Sequence, residues 1–180
     1  EMVSHDLGQV ASRLMVKGIE LDKALTGRDL KDGEFSFELY EGATKLQTVT
    51  NKNGKVTFDP ISYKEVGEHT YTVKEVKGNN ATIAYDASEK QVTVKVTRDG
   101  DALKAEVVYP ESKTFTNTFT PNATTATIEL TKELTGRDLV DGEFSFELYE
   151  GTNKLQTVTN KSGKVSFDAI PYTAEGEHTY

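Results

Sequence analysis

The chain has 180 residues, of which 21 are basic and 29 are acidic, and its formal charge of −8 argues against a nucleic-acid or anionic-membrane partner. It contains no cysteine and only three histidines, which excludes disulfides and thiolate metal sites and leaves little for histidine-based catalysis. No apolar run approaches the roughly 20 residues that a membrane-spanning helix needs.

The predicted elements begin with residues 6–16, whose apolar spacing is compatible with a short helix. From residue 33 to residue 41 apolar and polar residues alternate, which is the period-2 pattern of a half-buried strand. Two predicted strands, residues 45–51 and 55–59, flank Asn53-Gly54, a dipeptide that favours a tight hairpin turn. Further alternating segments follow at residues 69–77, 90–97, 103–109 and 113–119. Many short strands at close spacing predict an antiparallel sandwich or barrel.

The sequence also repeats itself. Residues 19–71 align with residues 128–180 without a gap, and 41 of the 53 positions are identical. The period of 109 residues suits a whole small domain rather than a solenoid unit. Near-identical units favour a spacer or stalk over a dedicated binding head. We therefore divide the chain into an unassigned segment (residues 1–16), a complete repeat (17–120), a linker (121–126) and the N-terminal half of a second repeat (127–180).

Three polar residues occupy positions on the apolar faces of predicted strands. Alternation places Lys23, Glu75 and Asn117 on these faces, and Asn117 is flanked there by Phe115 and Phe119. Taken singly, the lysine could extend to the rim, the glutamate could lie at an open strand end, and the asparagine could cap a backbone group. Because burying all three unpaired would be costly, we expect them to meet one another.

A lysine, a carboxyl group and an amide in one apolar core can form an intramolecular amide bond. Desolvation lowers the pKa of a lysine and raises that of a carboxyl group, so both can be neutral there. The amine of Lys23 would attack the side chain of Asn117, while Glu75 would polarise the Asn117 carbonyl and transfer protons as ammonia departs. Folding supplies the proximity. The product would be an isopeptide bond, made once per molecule and without a cofactor.

Four stretches of the first repeat carry a resemblance to a known family. They read Lys-Ala-Leu-Thr-Gly-Arg at 23–28, Asp-Gly-Glu-Phe-Ser-Phe-Glu-Leu at 32–39, Tyr-Thr-Val-Lys-Glu at 71–75 and Phe-Thr-Asn at 115–117. Together they resemble the streptococcal pilin isopeptide-linkage domain, over nearly all of residues 17–120 and again from Thr127 onwards. The resemblance implies an all-β, immunoglobulin-like antiparallel β-sandwich in which Lys23 and Asn117 are joined and Glu75 is the catalytic acid.

The same resemblance implies an extracellular, cell-wall-anchored Gram-positive surface protein that is processed by sortase. Its partners would be the neighbouring repeats and other pilus subunits. Residues 107–110, Val-Val-Tyr-Pro, are similar to the motif that carries a pilin's polymerising lysine, but Glu111 stands where that lysine is expected. A monomeric stalk is therefore an alternative to a polymerised pilus shaft. The second repeat keeps its lysine as Lys132, but this sequence ends before the positions of its glutamate and asparagine, so we expect no bond there.

Other functions have weaker support in the sequence. A ligand-binding adhesin module, for a host protein or a glycan, is the main alternative, although tryptophan, common on sugar-stacking faces, is absent. Asp29, Asp32 and Glu34 could suggest a calcium site, but their spacing does not fit an EF-hand loop and a polar turn is the simpler interpretation. A hydrolase is disfavoured because no Gly-x-Ser-x-Gly motif occurs. We expect no metal, no cofactor and no turnover catalysis.

Overall fold

The computed structural model describes residues 13–180, and these residues contain strands and turns but no helix. They form two compact units, the first ending at Phe119 and the second running from Thr120 to Tyr180. The prediction of an all-β fold is confirmed. The helix predicted over residues 6–16 is wrong at its C-terminal end, because Leu14–Val16 form a strand that pairs with Ile61–Tyr63. Residues 6–12 lie outside the described residues.

The first unit is a sandwich of two sheets. Its strands are β1 (Leu14–Val16), β2 (Glu20–Thr26), β3 (Ser36–Glu41), β4 (Thr44–Thr50), β5 (Lys55–Thr57), β6 (Ile61–Tyr63), β7 (Gly67–Glu75), β8 (Ile83–Ala84), β9 (Glu89–Asp99), β10 (Ala102–Val108) and β11 (Thr114–Phe119). One sheet has the order β10-β9-β7-β3-β4, the other has the order β5-β2-β11-β8, and β1 and β6 form a separate ladder. The buried apolar residues come from the facing sides of both sheets.

Alternation along the strands produces the core between the sheets. In β3, for example, Phe37 and Leu39 are fully buried while the residues between and beside them are partly exposed. Phe115 of the opposite sheet packs against Phe37, with the ring centroids 5.3 Å apart. Each large apolar side chain buried in this way contributes roughly 1.5–3 kcal/mol relative to leaving it exposed. The period-2 pattern of the sequence therefore predicted the inner faces correctly.

The sheets are not antiparallel throughout, because β2 and β11 are parallel neighbours. In this pair Phe115 lies opposite Lys23, and Asn117 lies opposite Leu25. Parallel neighbours need a long crossover connection, and here the eight strands from β3 to β10 supply it. The parallel pairing brings the first long strand of the unit beside its last strand.

The turn at Asn53-Gly54 forms as predicted, but the hairpin around it does not. Both residues have the left-handed backbone that such a turn needs, with φ of 51° and 74°. However, β4 belongs to the five-stranded sheet and β5 to the four-stranded sheet, and only the bridge between Lys52 and Lys55 joins the two sides. The chain changes sheets here because β5 pairs with β2, and this pairing directs Val56 into the core.

The second unit contains β12 (Thr124–Ala126), β13 (Glu129–Thr131), β14 (Ser145–Glu150), β15 (Asn153–Thr159), β16 (Lys164–Ser166) and β17 (Ile170–Tyr172). These strands form three two-stranded ladders: β12 with β17, β13 with β16, and β14 with β15. Its small core is built on Leu148, Val165 and Phe167. Strand β12 falls within the predicted linker, just as β1 falls within the segment left unassigned. Strand β12 has no large apolar side chain and is held by backbone pairing with β17, whereas Leu14 and Val16 of β1 pack against the core of the first unit.

Candidate functional site

The structure brings Lys23, Glu75 and Asn117 together between the two sheets of the first unit. Lys23 on β2 and Asn117 on β11 lie on neighbouring parallel strands, and Glu75 comes from the end of β7 in the facing sheet. The Nζ of Lys23 donates a hydrogen bond to Oε1 of Glu75 at 2.6 Å. The Nδ2 of Asn117 donates to the other oxygen, Oε2, also at 2.6 Å. A single carboxyl group thus bridges an amine and an amide nitrogen.

The cluster is shielded from water. The side chains of Lys23 and Glu75 have no exposed surface, and Asn117 is fully buried. Glu75 as a whole residue is half-buried because its backbone, at the end of β7, is partly exposed. The Nζ of Lys23 lies 4.6 Å from the ring centroid of Phe35 and 5.8 Å from that of Phe37. The amine is therefore flanked by two aromatic rings and hydrogen-bonded to the carboxyl group.

Burial changes the ionisation of the amine. Desolvation lowers the pKa of Lys23 below its ordinary value, and this effect outweighs the opposing hydrogen bond and charge of Glu75. A neutral amine is therefore more accessible here than on a lysine in water. Since only the neutral form has a lone pair with which to attack, the site favours lysine as a nucleophile.

One hydrogen-bond donor at this site was missed by the sequence analysis. The backbone N–H of Asp86 donates to Oδ1 of Asn117 at 2.8 Å. The predicted contact between Glu75 and the Asn117 carbonyl is therefore replaced by one between Glu75 and the amide nitrogen. Asp86 lies in the irregular segment between β8 and β9, where periodicity carries no information. The short Asp-x-Ser spacing to Ser88, typical of an Asx turn, is the one local signal that could have drawn attention to it.

Lys132 repeats the local position of Lys23 in the second unit. Its Nζ lies 4.6 Å from the ring centroid of Phe144, the same distance that separates Lys23 from Phe35. Lys132 is half-buried, and among residues 13–180 no carboxylate lies within ion-pair distance of it. The structure thus brings together Lys23, Glu75 and Asn117 and leaves Lys132 apart from such a cluster.

Two of the three acidic residues considered for calcium, Asp32 and Glu34, fasten a loop. Glu34 binds Arg28 and also accepts a hydrogen bond from the backbone N–H of Lys31 at 3.0 Å. The hydrogen bond from Arg28 is the largest effect on the pKa of Glu34 and holds it below its usual value. Asp32 accepts a bond from the N–H of Asn53 at 2.9 Å. Within residues 13–180 no group of three or more histidine, aspartate or glutamate side chains is placed to hold a metal.

A search of the part of the chain that the structure describes also finds no helix with the length and apolar character needed to cross a membrane.

Comparison with known proteins identifies the class of domain. Residues 19–120 and 128–180 match the family FctA, the Spy0128-like isopeptide containing domain, and the chain therefore belongs to that family. The resemblance inferred from the four sequence stretches is confirmed. No curated protein matches the chain at a significant level.

Solved structures similar to this chain include major pilins of Streptococcus pyogenes. The T-13 pilin is 15% identical, with 91% of this chain and 79% of that chain covered and a TM-score of 0.38. The T3.2 pilin is 12% identical, with 93% and 78% covered and a TM-score of 0.41. A further major pilin of the species is 16% identical, with 93% and 76% covered and a TM-score of 0.35.

Proposed function

We propose that this chain is a stalk module of a Gram-positive surface protein, and that its first repeat locks itself with an isopeptide bond between Lys23 and Asn117. Residues 17–120 are the locked repeat, and residues 127–180 are the N-terminal half of the next. The observation that carries the proposal is the bridging carboxyl group of Glu75, which holds the amine and the amide at 2.6 Å each in a site with no solvent-exposed side-chain surface. Membership of an isopeptide-containing family supports the same reaction.

The first chemical step is attack by the amine. Glu75 accepts a proton from the ammonium group of Lys23 through Oε1, and the neutral Nζ then adds to Cγ of Asn117. The lowered pKa of Lys23 reduces the cost of this deprotonation. Because folding holds both reactants in one core, the step is intramolecular, and effective molarities for well-oriented groups can reach about 10⁵ M or more.

The second step expels ammonia. Glu75 contacts Nδ2 of Asn117 through Oε2, so it is placed to return a proton to the departing nitrogen. The new bond joins Nζ to Cγ, the Cγ–Nδ2 bond breaks, and one ammonia leaves for each bond formed. After giving its first proton to Nδ2, Glu75 accepts the second surplus proton from Nζ and passes it to the departing ammonia, which leaves as ammonium. Glu75 is then a carboxylate again. The reaction occurs once per chain, needs no cofactor and leaves an amide that no cellular reductant cleaves.

The position of the bond suits a protein under tension. Tension would enter the unit near β2 and leave it from β11, and these two strands are parallel neighbours. Pulling them in opposite directions shears their shared hydrogen bonds. A Lys23–Asn117 bond would carry that force covalently and would close a loop of about 95 residues, worth roughly 4–5 kcal/mol on the chain-entropy model.

The location and partners follow from the family. We infer an extracellular protein anchored to the cell wall, whose partners are neighbouring repeats of the same chain and, through sortase, other pilus subunits. The similarity to the solved streptococcal major pilins concerns the fold alone. Assembly of this chain into a pilus is therefore part of the proposal. Self-crosslinking is the only reaction we assign to the protein.

Intact-mass measurement of the 180-residue chain tests the proposed reaction. The wild-type chain is expected to be lighter than its sequence by one ammonia, and Lys23→Ala and Glu75→Ala are each expected to restore the full mass. Lys132→Ala is the matched control, since this lysine occupies the same local position without the carboxyl group, and its ammonia loss should persist. A folded wild-type chain of unmodified mass contradicts the proposal.

A further inference from the structure

We propose that the segment around Asp86 forms an oxyanion site for the crosslinking reaction. In this assignment the backbone N–H of Asp86 stabilises the negative charge that develops on Oδ1 of Asn117, and the Asp86 side chain positions that N–H. The inference rests on the proposed isopeptide reaction and adds a catalytic group that neither Lys23 nor Glu75 supplies.

The direction of the hydrogen bonds fixes the orientation of the reacting amide. A backbone N–H can only donate, so the bond from Asp86 at 2.8 Å requires the oxygen of Asn117 on that side. The amide nitrogen then faces Glu75, at 2.6 Å. When Nζ of Lys23 adds to Cγ, the carbonyl electrons move onto Oδ1, directly toward the donor. A fixed donor within hydrogen-bond distance of the developing charge is the arrangement that lowers the barrier in acyl transfer.

The side chain of Asp86 fastens this donor to the strand that carries the reacting amide. Its Oδ2 accepts a hydrogen bond from the backbone N–H of Thr116 at 2.8 Å, one residue before Asn117. Its Oδ1 accepts from the backbone N–H of Ser88 at 2.9 Å, which closes a turn. Strand β8 pairs with β11 only at Thr118 and Phe119, so the carboxylate takes the place of a strand partner at Thr116.

The charge state of Asp86 supports this anchoring role. Desolvation, the largest single effect, raises the pKa of Asp86, but hydrogen bonds from Ser88 and Thr116 and the charge of Lys90 together bring the pKa below its usual value. The side chain is therefore an ionised acceptor at neutral pH, with both oxygens engaged. Its charge also favours the ammonium form of Lys23, so any benefit to the rate must come from positioning the donor.

The rate of crosslinking in the full chain tests the proposal. Each chain is made by cell-free translation, synthesis is stopped, and the fraction that has lost ammonia is followed over time by intact mass. Asp86→Ala removes both anchoring bonds and is expected to slow the reaction on the order of 10- to 100-fold, since small misplacements of a reacting group have effects of that size. Asp86→Asn keeps one acceptor oxygen and should react at an intermediate rate.

Val96→Ala controls for a general loss of stability. Val96 is a fully buried residue of β9, and it lies opposite Gly67, at the other end of β7 from Glu75. Its truncation should leave the crosslinking rate within about threefold of wild type, because substitutions at separate sites that share no partner act nearly independently. The oxyanion assignment is overturned if Asp86→Ala reacts as fast as wild type, if Val96→Ala is slowed equally, or if Asp86→Asn is as slow as Asp86→Ala. A wild-type chain that never loses ammonia would instead refute the isopeptide reaction itself.

Discussion

The two copies of the repeated sequence fold alike in their turns. Asn53 and its counterpart Ser162 have the same left-handed φ of 51°. Asn51 and Asn160 are both 1% exposed, and each accepts a hydrogen bond from a backbone N–H 16 residues earlier at 2.8 Å. These features recur because the residues that form them all lie within the copied segment. Turns and caps of this kind are encoded locally.

The same two copies differ in burial and in side-chain contacts that depend on strands outside the copied segment. Leu21 is fully buried, whereas Leu130 at the equivalent position is 57% exposed. Lys23 binds the carboxyl group that also contacts the amide of Asn117, whereas Lys132 lies over the ring of Phe144 and has no carboxylate within ion-pair distance among residues 13–180. Strands β7, β9 and β11 of the first unit complete the core and the site, although they contribute no residue to the local turns. A lysine at the correct local position is therefore insufficient for the proposed chemistry.

Preventing the Lys23–Asn117 bond is expected to lower the stability of the first unit more than any other change considered for the two copies. Glu75→Gln keeps the shape of the side chain but cannot accept the proton of Lys23, so the bond should not form. Losing a crosslink across about 95 residues is expected to cost roughly 4–5 kcal/mol, which corresponds to a fall in Tm of about 20–30 °C for a unit of this size. Calorimetry of the full chain measures the change.

Lys132→Ala is the matched control for that measurement. Its side chain is half-buried and forms no ion pair within the described residues, so its removal should change stability by no more than about 0.5 kcal/mol. Equal losses from the two substitutions would mean that the cluster around Lys23 contributes no special stability.

The second comparison concerns leucines rather than lysines. Leu21→Ala removes a fully buried side chain and is expected to cost about 2–5 kcal/mol, because the surrounding core closes only partly around the cavity. Leu130→Ala truncates a side chain that is 57% exposed and should cost about 0.5 kcal/mol or less. Urea titration of each variant gives the free energies. Similar costs at the two positions would show that the second copy buries this face in solution.

The sequence predicted the strands and the three clustered residues because both depend on alternation. A period of two states which side chains share a face, and this was sufficient to direct Lys23, Glu75 and Asn117 inward. Alternation does not state which strands become neighbours, so the parallel pairing of β2 with β11 and the change of sheet after Asn53 were not predicted. It is also silent about irregular segments, and for that reason the N–H of Asp86 was missed.

Raising the pH should stabilise the unlinked first unit through Lys23. Asn117→Ala prevents the bond but keeps the buried amine, whose pKa is lowered by desolvation from its ordinary value of 10.5. In the window below 10.5 the unfolded chain then binds more protons than the folded one, so stability rises with pH, by at most about 1.4 kcal/mol per pH unit. The stabilisation that comes from the lowered pKa of Lys23 is fully present above pH 10.5 and is lost as the pH falls through the folded-state pKa.

The control for this pH dependence is Asn117→Ala combined with Lys23→Met. The pKa values of the buried Tyr63 and Tyr71 are raised in the folded chain, so their ionisation at high pH lowers the stability of the protein. This effect is the same in both variants. The difference between the two unfolding curves therefore isolates Lys23. A difference that does not change with pH would show that the lysine has the same pKa in the folded and unfolded chains.

The smallest effect on stability is expected at a turn where the two copies already carry different residues. Asn53→Ser introduces the residue that the second copy carries at the same turn, and both positions have φ of 51°. Asparagine tolerates this left-handed backbone somewhat better than serine, so the substitution should cost no more than about 0.5 kcal/mol. The N–H at this position donates to Asp32 in the first copy and to Asp141 in the second, each at 2.9 Å, and the substitution leaves that bond intact. Asn53→Val should cost more, because a β-branched side chain is strained at positive φ. Both variants keep the backbone N–H, so the difference between their urea titrations measures backbone strain, and equal costs would contradict this explanation.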